Sequence, residues 1–205
     1  MTNKQVIGLL GGPNTGKTEL ASSLYKNLSE QGLSVAWARE FSSYDLSKNG
    51  KPISEASFYE QYRYSFYQMR AEEEALKHAD IVITDAPLLL GYVYPLIEKE
   101  KISDRRQKIF AQEFENLFRQ DAARYTNLYL LRKSNFSDKK SLNYHTESEE
   151  RLFNIILRNM LTCNNIQYTA LPSSLELQTD LITLEIQKSH ISGIINKNSD
   201  MIHQA

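Results

Sequence analysis

The chain opens on an apolar run, Val6-Ile7-Gly8-Leu9-Leu10, that ends in two glycines. Short continuous runs of this kind, bounded by turn residues, predict strands buried on both faces, so Gln5 to Leu10 reads as the first. Ser34 to Ala38, Asp80 to Thr84, Asn127 to Leu131 and Ile166 to Leu171 repeat the pattern. Between these runs the apolar positions recur at helical spacing. Lys17 to Gln31 lines up Leu20, Leu24 and Leu28, and Gly32 stands at the C′ position of that helix. A helix over about Glu55 to Lys77 carries Tyr59, Tyr62, Phe66, Met69 and Leu76 as its apolar stripe. Further helices are predicted over Leu88 to Lys99 and over Asp104 to Arg124, the latter with Ile109, Phe110, Phe114, Leu117 and Phe118 on its apolar face. Thr146 and Glu149 form a capping box for a helix running to about Leu161, and Ser173 with Glu176 for a last one to about Lys188.

Strands alternating with helices define an α/β fold: a five-stranded parallel sheet with helices on both faces. Residues 1–188 make one domain. A polar, basic loop without periodicity over about 132–145 reads as a lid, with a plain solvated loop as the alternative, and 189–205 as a weakly patterned tail, a loose helix or disorder. Phe41 to Ser54, polar and holding Gly50 and Pro52, reads as a second loop. At 205 residues the chain is long enough for one continuous core.

Charge and composition narrow the partners. A net charge of −1 argues against a protein that coats nucleic acid through bulk electrostatics. Cys163 is the only cysteine, which rules out an intramolecular disulfide, and the four histidines are scattered rather than clustered for a metal. Without an apolar run of membrane-spanning length or a leader pattern, a cytoplasmic protein with no membrane partner is expected. The sequence is silent on oligomeric state.

One motif carries chemistry. Gly11-Gly12-Pro13-Asn14-Thr15-Gly16-Lys17-Thr18 matches G-x-x-x-x-G-K-[ST] in full, directly after a strand and opening a helix. Glycines permit the positive φ angles that turn successive amides inward around an anion. The helix N-terminus adds its unpaired N–H groups. Lys17 is placed to reach the β- and γ-phosphates of ATP, and the Thr18 hydroxyl to hold Mg²⁺.

In an open α/β sheet, ligands sit beyond the carboxyl ends of the strands. Asp85 closes the run Ile81-Val82-Ile83-Thr84 as a Walker B carboxylate does, and is expected to hold the metal's hydration shell or orient an acceptor hydroxyl; the plainer alternative is a turn residue ahead of Pro87. Glu40, just past strand two, is placed to accept the acceptor's proton or bond a ribose-like diol, with Arg39 for an anionic group; a solvated loop pair is the equal alternative. Arg132, at the end of strand four, is the candidate to grip the γ-phosphate, followed in the loop by Lys133, Lys139 and Lys140. On the long second helix, Gln61, Tyr64, Gln68 and Glu72 form a row distinct from the apolar stripe, in which Tyr64 and Gln68 are candidates to line an acceptor pocket. Arg63 and Arg70 lie on a third face, for a phosphate backbone or for water.

With these residues in place the chain resembles small ATP-binding kinases related to the nicotinamide riboside kinase domain of bacterial NAD regulators. More loosely it resembles phage P-loop kinases acting on 5-hydroxymethyl pyrimidines in DNA. The resemblance rests on Gly11 to Thr18, Ala38-Arg39-Glu40, Gln68 and Ile83-Thr84-Asp85, and spans roughly residues 5–171. It departs in the lid, where Ser137-Asp138-Lys139-Lys140 stands in place of the relatives' Gly-Arg step. The resemblance implies transfer of the γ-phosphoryl group of ATP, with Mg²⁺, to a hydroxyl of a nucleoside- or nucleotide-like small molecule. A hydroxyl within DNA or RNA is the alternative acceptor. An ATP-gated regulatory NTPase without an acceptor is the alternative outside kinase chemistry.

Overall fold

The structure is a computed structural model that describes residues 4–40, 58–98, 105–131 and 147–202. Eleven elements follow one another: β1 (Gln5–Leu10), α1 (Lys17–Glu30), β2 (Val35–Ala38), α2 (Phe58–His78), β3 (Ile81–Thr84), α3 (Leu88–Glu98), α4 (Arg105–Ala122), β4 (Asn127–Leu130), α5 (Glu147–Cys163), β5 (Thr169–Ala170) and α6 (Leu175–Ile202). The strands form one parallel sheet in the order β2-β3-β1-β4-β5. Because side chains alternate along a strand, β1 feeds two cores. Ile7 and Leu9 face α1 and α6, packing with Leu20, Leu24, Leu28, Ile182 and Ile186. Val6 and Leu10 face the opposite layer, with Leu89, Val93, Phe114, Phe118, Phe153 and Leu157.

Helix ends follow local chemistry. After α1, Gly32 adopts φ 76° while Leu33 N–H bonds Leu28 O and Gly32 N–H bonds Ser29 O, the two bonds of a Schellman stop. Asn165 (φ 53°) ends α5 the same way, through Ile166 N–H to Leu161 O and Asn165 N–H to Thr162 O. The cap of α6 falls one residue later than predicted, with Ser174 rather than Ser173 facing the first turn.

Three expectations need correction. The predicted strand over Ile166 to Leu171 shortens to Thr169–Ala170, because Ile166 is spent on closing α5 and Leu171 bonds Leu130 only as the chain leaves the sheet. The last helix does not stop near Lys188 but runs to Ile202, through most of the segment read as a tail. The apolar stripe of α2 is buried only in part: Met69 and Leu76 pack half-buried against the core, but the fully buried positions of the helix lie elsewhere. Phe66 is 48% exposed, whereas Tyr64, Gln68 and Glu72 are buried. Likewise Ile109 of α4 is exposed while Phe114 and Phe118 are buried. The loop 41–54, the lid with Arg132, Lys133, Lys139 and Lys140, and the Thr146 cap lie outside the described residues.

Candidate active site

The loop between β1 and α1 has the backbone its sequence predicts. Gly11 (φ 152°), Asn14 (φ 57°) and Gly16 (φ 86°) all lie in positive-φ regions. Thr15 is buried and its hydroxyl donates to Gly12 O at 2.9 Å, cinching the loop across its base. Pro13 sits half-buried at the turn. Gly16 forms the N-cap of α1, so the helix offers unpaired amides toward the loop's interior. Lys17 Nζ donates to Gly11 O at 3.0 Å and Gly12 O at 2.8 Å. Its ammonium therefore lies along the loop, held by carbonyls that a phosphate oxygen can replace.

Burial lowers the pKa of Lys17, while the charges of Glu40 and Asp85 oppose that shift. These three groups thus share one field, although they come from the carboxyl ends of three strands, β1, β2 and β3. Asp85 is 4% exposed, and burial raises its pKa. The Thr18 hydroxyl and the Trp37 N–H oppose that rise, Glu40 adds to it, and Lys17 opposes it. Asp85 Oδ1 and Trp37 Nε1 are both buried without a hydrogen-bond partner. An orphaned carboxylate oxygen beside a threonine hydroxyl is the donor set a hard cation with a retained water shell would take, so Thr18 and Asp85 fit Mg²⁺. Among the described residues no cluster of three or more His, Cys, Asp or Glu offers an all-protein metal cage.

Glu40 is half-buried, and the Arg39 guanidinium lies 4.4 Å over the Trp37 ring. Tyr64 and Gln68 are more enclosed than an open acceptor pocket implies. Gln68 Nε2 donates to Thr84 Oγ1 at 3.2 Å, immediately before Asp85. Tyr64 is 7% exposed, with Arg63 at 5.8 Å from its ring. Arg63 and Arg70 are exposed.

Several residues around the site carry no motif. Glu72 lies four residues beyond Gln68 and is 1% exposed. Tyr125 OH donates to its carboxylate at 3.0 Å, and Leu88 N–H donates both to Tyr125 OH at 2.8 Å and to Glu72 at 3.3 Å. Gln68 and Glu72 therefore bind the chain on either side of Asp85. On the other flank, Glu150 and Asn154 of α5 reach the phosphate loop. The signal for such residues was a polar side chain at a core position of a helix: Glu150 falls in line with Phe153, Leu157 and Leu161.

A parallel sheet in this order, with a glycine-rich loop at the end of its central strand and a buried carboxylate beside it, defines a P-loop nucleotide-binding protein. The chain belongs to the family described as "AAA domain", whose sequence model matches residues 6–177. No curated protein matches it significantly. Among solved structures, it resembles the NadR protein in complex with NR, at 16% identity and a TM-score of 0.62, over 82% of this chain and 43% of that one. The chain thus spans less than half the length of that protein. Deoxyadenosine kinase from M. mycoides with bound dATP matches at 13% identity and a TM-score of 0.59, over 89% of this chain and 99% of the other. The relation to a NadR-type P-loop kinase that the sequence predicted is shown at the level of the fold.

Proposed function

We propose that the protein is an ATP-dependent kinase that transfers the γ-phosphoryl group to a hydroxyl of a nucleoside- or nucleotide-like small molecule in the cytoplasm. The carrying observation is the convergence of Lys17, Glu40 and Asp85 at the ends of three strands of one sheet. In this reading the loop amides from Gly11 to Thr18 and the Lys17 ammonium hold the polyphosphate. Mg²⁺, held through Thr18 and Asp85, supplies charge neutralisation on the phosphates. The acceptor oxygen attacks the γ-phosphorus as the bond from that phosphorus to the β–γ bridging oxygen breaks. ADP leaves with that oxygen, and the hydroxyl proton passes to Glu40. Arg39 is assigned to an anionic group of the acceptor, Tyr64 and Gln68 to the wall behind it, and Arg132 to the γ-phosphate.

Support for a nucleoside-like acceptor comes from the fold neighbours, which were solved with NR, with NAD and AMP-PNP, and with dATP. Transfer from γ-labelled Mg·ATP to a panel of free nucleosides and nucleotides, beside plain and hydroxymethylated oligonucleotides, tests the reading. Label on a free nucleoside or nucleotide is the expected result. Label confined to the oligonucleotides moves the acceptor into nucleic acid, along the exposed Arg63 and Arg70. Mg·ATP binding without transfer to anything overturns the kinase reading in favour of a nucleotide-gated module.

A further inference from the structure

Helix α5 approaches the phosphate loop from the side with two polar side chains one turn apart. Asn154 Oδ1 accepts the Gly12 N–H at 3.0 Å, while Asn154 Nδ2 donates to Glu150 O at 2.9 Å, so both ends of the amide are satisfied. Glu150 Oε1 accepts Asn14 Nδ2 at 2.9 Å. Asn14 is a non-glycine residue at φ 57°, a conformation that persists where its surroundings hold it. Glu150 itself is 7% exposed, on the inner stripe of α5. The fit is close: a Cβ on Gly12 would lie 2.9 Å from Asn154 Nδ2 and 3.3 Å from its Cγ.

We propose that Glu150 and Asn154 are positioning residues that preform the phosphate loop and make α5 respond to nucleotide. They act on Gly12 and Asn14 rather than on the reacting atoms. Ordering the loop at folding, instead of at binding, lowers the cost of taking up a polyphosphate. The same bonds tie the first turns of α5 to any change in loop shape. The proposal rests on the reading of the loop as a nucleotide site.

Two measurements separate it from that reading. In the ligand-free protein, amide hydrogen exchange across residues 11–18 should quicken roughly three- to tenfold in Asn154→Ala, the size of one net hydrogen bond. With Mg·ATP, wild-type protein should gain protection in Glu147–Cys163, and Asn154→Ala should lose most of that gain. In turnover, KM for ATP should rise by a similar roughly three- to tenfold factor with kcat largely kept. Glu150→Ala is the second variant should Asn154→Ala not fold, and Glu150→Gln, which keeps an acceptor for Asn14, should restore wild-type exchange. Unchanged loop exchange in both alanine variants overturns the clamp even where Mg·ATP binds normally. Failure of the wild type to bind Mg·ATP overturns the nucleotide reading and the response of α5 together, while faster loop exchange in the free variants would still show that these side chains hold the loop.

Discussion

At the scale of single residues, chemistry here is decided by a few buried charges. Lys17 lies on the loop carbonyls, so removing it should leave the fold while, in the proposed kinase, taking away the positive charge at the phosphates. Lys17→Ala should abolish transfer while circular dichroism stays that of the wild type. Asp85→Asn keeps the shape of the side chain and removes its charge; turnover should fall by about a hundredfold or more while Mg·ATP affinity changes far less. Wild-type-like turnover in Asp85→Asn would remove that carboxylate from the mechanism. Glu72 gives a prediction in pH. Burial raises its pKa from 4.5 to about 7, against the bonds from Tyr125 and Leu88 and the charge of Arg124. A carboxyl that holds its proton more tightly when folded contributes most stability below 4.5, and that contribution is lost as the pH rises toward 7. The shift corresponds to about 3 kcal/mol at most. Glu72→Gln, uncharged at every pH, should therefore melt above the wild type at pH 8, with the gap closing toward pH 5. An equal gap at both pH values would show that Glu72 does not titrate in this range.

At the scale of elements, the helices show which faces a sequence pattern can assign. Leu20, Leu24 and Leu28 were legible as the buried face of α1 because the other side of that helix is polar apart from Tyr25. In α2 the pattern held for Met69 and Leu76, which pack against the core, and failed for Phe66. Aromatic residues line one stripe, but the helix packs against α3, β2 and β3, where Thr84, Tyr125 and the Leu88 N–H offer hydrogen-bonding groups. A buried polar row costs little where each member finds a partner, so Gln68 and Glu72 go inward and Phe66 outward. Close approach of α2 and α3 is also specified locally. A Cβ on Gly91 would lie 2.2 Å from Ser65 Oγ and 3.3 Å from Ser65 Cβ. Gly91→Ala should therefore destabilise the protein by about 1–3 kcal/mol in urea unfolding, despite alanine's better helix propensity. A variant as stable as the wild type would mean that the two helices slide apart at little cost.

At the scale of the molecule, function depends on the strand order β2-β3-β1-β4-β5. With β1 central, β3 beside it and β2 beyond β3, three loop starts far apart in sequence meet at one edge of the sheet. Mg·ATP bound there should stabilise the whole domain by mass action, by about 2.7 kcal/mol at a hundredfold excess over Kd. For a chain of this length that is a rise of roughly 5 to 10 °C in Tm. ATP with a chelator should give a smaller rise, and equal shifts with and without the metal would argue against a metal at Thr18 and Asp85. Among the described residues no helix is long and apolar enough to cross a membrane.

Local patterns determined much of this protein: the alternation of strands and helices, the loop from Gly11 to Thr18, and the glycine stop at Gly32. Each of these is a property of neighbouring residues, since backbone angles and periodicity act over a few positions. Partnerships across the chain were decided only by tertiary structure. Glu150 with Asn14, Glu72 with Tyr125 and Asn154 with Gly12 are separated by tens of residues and share no spacing rule. Whether a polar side chain on a helix faces water or a partner depends on what packs against that helix, and the sequence of the helix alone does not contain it.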